Sequence, residues 1–156
     1  NEPIEETKPV HLEIDVQAHI PRGYIESDRQ RMDIYRRLVR CRSGKELEQL
    51  ASDLKDAFGT YPASVQTLLD LAEIRVLAQP WKIRTIQASP PDLIFTVEQL
   101  ALVEPMFARS PGSARMADAH TIHLRLNPAY FEPGTLIPVL RRMLQPIQPA
   151  STIATP

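Results

Sequence analysis

Two short segments carry the residue types that could do chemistry. His120 and His123 form a closely spaced histidine pair, and imidazoles are common ligands of zinc and other transition metals. On a strand, however, residues three positions apart point to opposite faces, so this pair could not chelate one ion. Cys41 is the single cysteine and lies between two arginines, a setting that can lower the pKa of a thiol. Because no histidine base is matched to it, we expect a structural thiol rather than a nucleophile.

The chain has no phosphate-binding loop of the kind that nucleotide-hydrolysing enzymes use. Ser43-Gly44-Lys45 comes nearest, but it lacks the upstream glycine and the preceding strand. A hydrophobic content of 43% indicates a globular domain. A net charge of −1 gives the chain no overall electrostatic attraction to nucleic acid or anionic membranes. No apolar run approaches a membrane span, and the N-terminus has no signal-peptide core. We therefore expect a domain without enzymatic activity, cofactor or metal, and its single cysteine fits a reducing cytoplasm.

Two charged helical patterns remain as candidate binding sites, and the first is basic. Six arginines fall in or beside the first predicted helix: Arg29, Arg31, Arg36, Arg37, Arg40 and Arg42. They could contact nucleic acid or an acidic protein. Alternatively they form a solvated face, with Asp33 bridging Arg29 and Arg37 at i,i+4 spacing. Because no aromatic residues are interleaved for base stacking, the pattern favours the solvated face.

The second predicted helix carries the opposite charge. With its leucines turned inward, the 100° step per residue places Asp53 and Asp56 on the far side, with Gln49 near them. Two carboxylates on a wet face are expected to keep their ordinary pKa values, so they are not a catalytic pair. They form either an acidic patch for a basic partner or a plain solvated face. The pattern alone favours the solvated face.

The elements that position these residues follow from periodicity in the first half of the chain. Alternating Leu12, Ile14 and Val16 predict a half-buried strand. Capping boxes at Ser27–Gln30 and Ser43–Glu46 predict the starts of two helices. The first of these is expected to turn Met32, Tyr35, Leu38 and Val39 inward. Gly59 is expected to end the second helix in a left-handed cap, and Pro62 fits the first turn of a third.

In the second half of the chain, the spacing of apolar residues changes from a mainly helical period to one that also includes strands. Strands are predicted at 83–87 and 93–97, joined by a loop at 88–92, followed by a short helix at 98–107. Residues 110–119 are expected to form a loop of small residues, and 121–126 a strand. Thr135 is expected to cap a last helix with Pro138 in its first turn. The residues expected to face inward there are Leu136, Leu140, Met143 and Leu144.

These elements predict an α+β domain with an N-terminal strand, a three-helix cluster, and then a mixed or antiparallel sheet with a C-terminal helix. Residues 10–145 are expected to form this single domain. The acidic and proline-containing segment 1–9 is expected to be a linker, and 146–156 a flexible tail, because neither can bury enough surface to offset its ordering entropy.

From Leu12 to Ile83 the chain resembles the C-terminal domain of the bacterial transcription-repair coupling factor. The matching residues are Ile20-Pro21, Tyr24-Ile25, Arg31, Tyr35-Arg36-Arg37, Glu46-Leu47, Leu50, Asp56, Phe58-Gly59, Pro62, Val65, Leu68-Leu69, Ala72, Arg75 and Ala78. That family is a large ATP-dependent DNA translocase, which displaces stalled RNA polymerase and recruits UvrA, the damage-recognition ATPase of nucleotide excision repair. Its motor motifs lie upstream of this domain. A start at Asn1 rather than Met agrees with a piece of a longer protein.

The resemblance implies a regulatory domain that docks on the N-terminal recruitment module of the same polypeptide and masks the UvrA-binding surface. The acidic positions of the docking face match Asp53 and Asp56, with Gln49 beside them. Ala57 replaces a basic residue that often precedes Phe-Gly in the family, which implies a missing contact. Trp81-Lys82 replaces Leu-Gly, which implies a differently built joint before the next strand. Through the parent protein, the implied partners are RNA polymerase, UvrA and double-stranded DNA.

Two functional interpretations remain at this stage. The first is the autoinhibitory regulatory domain, expected to be monomeric in isolation. The alternative is a freestanding nucleic-acid-binding module that uses the basic first helix.

Overall fold

Five strands form one mixed sheet within residues 9–147, the part of the chain that the computed structural model describes. The strands are β1 (His11–Glu13), β2 (Ile83–Ser89), β3 (Asp92–Val97), β4 (Ser113–Asp118) and β5 (Thr121–Arg125). Their spatial order is β1-β2-β3-β5-β4. β1 runs parallel to β2, and the other neighbouring strands are antiparallel. The N-terminal strand therefore joins the same sheet as the strands of the second half.

Helices flank this sheet, and along the chain they lie between β1 and β2, between β3 and β4, and after β5. The α-helices are α1 (Asp28–Arg40), α2 (Gly44–Phe58), α3 (Ala63–Ala78), α4 (Leu100–Ala108) and α5 (Pro133–Met143). Single 3₁₀ turns at Gln79–Trp81 and Pro128–Phe131 lead into β2 and α5. The predicted α+β class is confirmed, with its N-terminal strand, three-helix cluster, mixed sheet and C-terminal helix. The predicted linker at 1–9 and tail at 146–156 lie almost wholly outside the described residues.

Both predicted serine caps are confirmed. The Ser27 hydroxyl accepts a hydrogen bond of 3.2 Å from the Gln30 amide, and the Ser43 hydroxyl accepts one of 3.2 Å from the Glu46 amide. A serine cap of this kind stabilises a helix by about 1 kcal/mol. Gly59 ends α2 with φ of 84°, as expected for glycine, but its ψ of −168° lies outside the left-handed helical region. The predicted position of this cap is right, and its predicted conformation is wrong.

The described residues bury two hydrophobic clusters. The helical core lies among α1, α2 and α3 and consists of Ile20, Ile25, Leu38, Cys41, Leu47, Leu50, Leu54, Val65, Leu69 and Ala72. The sheet core lies between the sheet and α3, α4 and α5, and Phe95, Val103, Met106 and Leu140 are among its fully buried members. α3 contributes Leu69 to the first cluster and Ile74 to the second. Its apolar residues on both sides, expected from the sequence, therefore connect the two cores.

The predicted inner face of α1 is only half right. Leu38 is buried and Tyr35 packs against the helical core, but Met32 and Val39 are 50% and 61% exposed. With Leu38 inward, the 100° step brings Ile34 to the inner face and turns Met32 and Val39 away from it. β1 is also shorter than the predicted strand, since its pairing with β2 ends at Glu13.

Three predictions for the second half are wrong in detail. The predicted loop at 110–119 contains β4, which pairs antiparallel with β5. Thr135 does not cap α5, because the helix begins earlier and the Glu132 carbonyl accepts from the amides of Thr135 and Leu136 at 2.9 and 2.8 Å. Pro138 consequently lies inside the helix rather than in its first turn. The four inward residues predicted for this helix are all buried.

The joint before β2 is made by the two residues that replace Leu-Gly. Trp81 is buried, and its indole nitrogen donates a hydrogen bond of 2.8 Å to the Leu144 carbonyl, which ties the joint to the end of α5. Lys82 has φ of 56° and ψ of 38°, the left-handed conformation that glycine adopts most readily. A lysine therefore occupies a glycine-like backbone position at this joint.

A candidate protein-docking surface on the second helix

Asp53 is the centre of the candidate surface, and both of its carboxylate oxygens are engaged. Arg37 of α1 donates from Nη2 to Oδ2 at 2.6 Å, and Gln49 donates from Nε2 to Oδ1 at 2.8 Å. The structure thus brings Gln49 and Asp53 together, as their i,i+4 spacing predicts. Asp56 lies one turn further along α2 and is exposed.

These hydrogen bonds change the electrostatics of Asp53. The side-chain bonds from Arg37 and Gln49, in that order, hold the pKa of the Asp53 carboxyl below its ordinary value of 3.8. The expectation of an ordinary pKa for this residue is therefore wrong. The reason is that the guanidinium comes from a neighbouring helix, sixteen residues earlier in the chain.

The predicted Asp33 bridge on α1 is not formed. Asp33 pairs instead with Arg36, through Oδ1 and Nη1 at 3.3 Å, while Arg37 turns to α2. Arg31 is largely buried, pairs with Asp28 and donates to the Ile25 carbonyl at 2.6 Å. Within residues 9–147, the arginines of this segment that form no ion pair are Arg29, Arg40 and Arg42. Half of the basic set therefore has an intramolecular role.

The cysteine and the histidines form no reactive site in the described part of the chain. Cys41 is buried at the end of α1, and burial, followed by the charge of Glu46, raises the pKa of its thiol. This direction is opposite to the lowered pKa that the flanking arginines could have caused, and it agrees with a structural thiol. His120 lies in the turn between β4 and β5, where its Nδ1 is 3.1 Å from the Val97 carbonyl oxygen. No group of three potential metal ligands occurs among the described residues.

Comparison with known proteins decides the family. The family model of the TRCF domain matches residues 14–107, more than half of the chain. This chain belongs to the TRCF domain family. The resemblance seen in the sequence between Leu12 and Ile83 is thereby confirmed, and the match extends through β2, β3 and α4.

Curated relatives of this TRCF domain are transcription-repair-coupling factors. That of Mycobacterium bovis is 35% identical over 85 residues, which are 54% of this chain and 7% of the relative. That of Bacillus subtilis is 31% identical over 100 residues, 63% of this chain and 8% of the relative. The chain therefore spans less than a tenth of the length of these relatives.

A crystal structure of the C-terminal domain of transcription-repair coupling factor has the same fold. It superimposes with a TM-score of 0.72 over 89% of this chain and 94% of the other, at 18% identity. The alignment reaches beyond the segment matched by the family model, so the likeness includes the later part of the sheet.

The TRCF domain has a shallow depression beside Asp53, with a volume of about 310 Å³. Its lining residues are Arg37, Arg40, Cys41, Glu46 and Gln49. The surface therefore presents both signs of charge around a partly exposed carboxylate, without a nucleophile and base in contact. Such an arrangement can bind a protein surface of complementary charge. Within the described residues, no helix is long and apolar enough to cross a membrane.

Proposed function

We propose that this TRCF domain is the C-terminal regulatory domain of a transcription-repair coupling factor. It docks through α2 on the N-terminal recruitment module of the same polypeptide and masks the surface that binds UvrA. The parent protein is an ATP-dependent DNA translocase that acts on stalled RNA polymerase and recruits nucleotide excision repair in the cytoplasm. Membership of the TRCF domain family and the similar C-terminal domain fold support this proposal.

The observation that carries the proposal is the ordered acidic strip on α2. Gln49, Asp53 and Asp56 follow one another at i, i+4 and i+7, so they share one side of the helix. The side chain of Asp53 is held by two hydrogen bonds and is still 41% exposed. A carboxylate can accept about four hydrogen bonds. It therefore has acceptor capacity left for an arginine or lysine of the docked module.

The energetics of such a surface suit a releasable latch. Exposed ion pairs are individually weak and are screened by salt. Several of them act together when both partners belong to one chain, because the tether gives a high effective concentration. Ala57 stands where the family often has a basic residue, so one charged contact of the docking surface is missing in this chain. A competing ligand of the recruitment module can then open the latch without unfolding either domain.

The test is a charge reversal on α2. The Asp53→Lys, Asp56→Lys double variant should bind a separately produced N-terminal module at least about fivefold more weakly than the parent, within the usual range of coupling between sites. The salt dependence of binding should fall as well. Affinity is measured by titration calorimetry at several salt concentrations.

The matched control places the same charge change elsewhere. Glu48 lies on the other flank of α2, about 140° around the helix from Asp53, and Glu104 is an exposed residue of α4. The Glu48→Lys, Glu104→Lys variant should bind like the parent. Because a lysine at position 53 would face Arg37, the milder Asp53→Asn, Asp56→Asn variant is measured in parallel. Unchanged affinity and salt dependence in both acidic-strip variants would show that α2 is not the docking face.

A further inference from the structure

A polar cluster lies on the face of the sheet away from the sheet core. It lines a depression of about 150 Å³ and consists of Asp92, Ser113, Arg115, His123 and Arg125. We call this set the open-face cluster. Its residues come from three adjacent strands, β3, β4 and β5, and none of them belongs to the acidic strip on α2.

Strand register explains why these side chains converge. Arg115 of β4 is directly opposite His123 of β5, and Ser113 is opposite Arg125. Arg125 is in turn opposite Asp92 of β3. Since residues opposite each other on paired strands share a face, all five point away from Leu124, which is fully buried in the sheet core.

The charges of the open-face cluster are unbalanced. Asp92 is its one carboxylate, and only 18% of that side chain is exposed. The Asp92 Oδ1 atom lies 3.3 Å from Nε of Arg125, so this contact leaves the two outer nitrogens of the guanidinium unused. Arg115 forms no ion pair with any residue of the 9–147 range. The cluster therefore combines two guanidinium groups with a single recessed carboxylate.

His123 supplies an independent sign of a ligand. Its Nδ1 atom is buried and has no hydrogen-bond partner among the described residues. Oδ2 of Asp92 lies 3.7 Å from it, which is longer than a hydrogen bond. Buried polar atoms are nearly always satisfied, so one that is not points to a group that binds there. Asp92 and Arg125 therefore satisfy one another, whereas within the described residues Arg115 has no ion pair and Nδ1 of His123 has no hydrogen bond.

We propose that the open-face cluster binds a phosphate group. Guanidinium groups match phosphate oxygens with pairs of parallel hydrogen bonds, which Arg115 and Arg125 can supply from neighbouring strands. His123 in the tautomer protonated on Nδ1 donates a further bond, and the hydroxyl of Ser113 another. The phosphate belongs either to a free inorganic anion or to the backbone of nucleic acid, two sources with the same chemistry.

The experiment uses two probes on the same chain. Sodium phosphate, at constant ionic strength, is titrated while the backbone amides of β4 and β5 are followed by NMR. Labelled duplex DNA is titrated by fluorescence anisotropy over a range of salt concentrations. We expect saturable shifts of these amides with phosphate, a salt-dependent rise in anisotropy with DNA, or both.

Variants assign the binding to the cluster. The Arg115→Ala, Arg125→Ala variant should lose the shifts, and its DNA affinity should depend on salt with a log–log slope lower by about two. Arg115→Ala alone removes a residue without an ion pair in the described range, so it separates binding from any effect on folding. The Arg36→Ala, Arg40→Ala variant removes two arginines of α1 and should leave the amide shifts unchanged.

The outcomes are distinct. Cluster-dependent binding of DNA identifies a backbone phosphate, and cluster-dependent binding of inorganic phosphate alone identifies a free anion. The proposal is wrong if neither probe binds, or if the cluster variants bind both probes as tightly as the parent. It is equally wrong if the α1 variant, and not the cluster variants, abolishes the shifts.

Discussion

Asp53 joins two helices through one carboxylate. Arg37 could have paired within α1 with Asp33, four residues away, but it reaches across to Asp53 at 2.6 Å. Gln49 completes the arrangement from within α2 at 2.8 Å. The same side chain therefore serves the packing of α1 on α2 and the surface proposed for docking. Any variant at this position has to be assessed for both effects.

The lowered pKa of Asp53 predicts a pH dependence of stability. A carboxyl whose pKa is lower in the folded than in the unfolded state stabilises the fold above its unfolded value, here near 3.8, and this contribution is lost as the pH falls through the lower folded value. The Asp53→Asn variant should therefore be less stable than the parent at neutral pH. The difference should shrink with acidification. Urea unfolding, followed by circular dichroism at pH values from neutral to below 3.8, measures the difference in stability between the variant and the parent.

The pair can be separated from other effects of the substitution by a double-mutant cycle. Arg37→Ala removes the main cause of the lowered pKa, so it should reduce the same part of the pH dependence. The Asp53→Asn, Arg37→Ala variant should add little to either single change, because residues in direct contact are not additive. Strict additivity at neutral pH would contradict an energetic role for this ion pair.

The edge strand β4 shows how an element can be held mainly by its neighbour. Its six residues, Ser113–Asp118, are all exposed, and among the described strands it pairs with β5 alone. Gly112 precedes it with φ of 76°, and a Cβ atom there would collide with the carbonyl oxygen of Arg125. The absence of a side chain at this position is what allows the chain to approach β5.

Gly112→Ala should therefore destabilise the domain by about 1–3 kcal/mol, the usual cost of a strained backbone conformation. The loss should be concentrated in β4, where hydrogen exchange of the amides would accelerate. The free energy of unfolding in urea and the exchange rates by NMR measure the two effects.

Gly23 provides the matched control for this substitution. Apart from its chain neighbours, no heavy atom of the described residues lies within 4 Å of the position that its Cβ would take. Gly23→Ala should change the free energy of unfolding by no more than about 0.5 kcal/mol, as is usual for surface positions. Equal effects of the two substitutions would mean that close packing against β5 does not constrain Gly112.

Elements whose stability comes from their own pattern were predictable from the sequence. The serine caps and the inward leucines define α2, and alternation defines β5. β4 was missed because the polar–apolar alternation of Ser113-Ala114-Arg115-Met116 is short and contains no β-branched residue, and the segment becomes a strand through pairing with β5. The ion pair between Arg37 and Asp53 was missed for the same reason, since sequence spacing cannot show contacts between helices. Membership of the TRCF domain family could be predicted from the sequence because the resemblance depends on the residue types between Ile20 and Ala78.

At the scale of the whole molecule, α3 connects the two cores. Val65, Leu69 and Ala72 pack in the helical core, while Ile74 and Ala78 pack in the sheet core. An element that both cores share cannot lose its partners in one without weakening the other. We therefore expect the two cores to unfold together, as small single domains usually do.

The single tryptophan makes this coupling measurable. Trp81 lies in the sheet core, so its fluorescence reports unfolding there. Leu50 is fully buried in the helical core, and Leu50→Ala should cost about 2–5 kcal/mol. If α3 couples the cores, this change should shift the urea transitions of Trp81 fluorescence and of far-UV circular dichroism equally, whereas Val39→Ala at an exposed position should shift neither. A fluorescence transition that stays in place while the dichroism transition divides into two would instead mean that the helical cluster folds as a separate unit, able to open at the docking surface while the sheet remains intact.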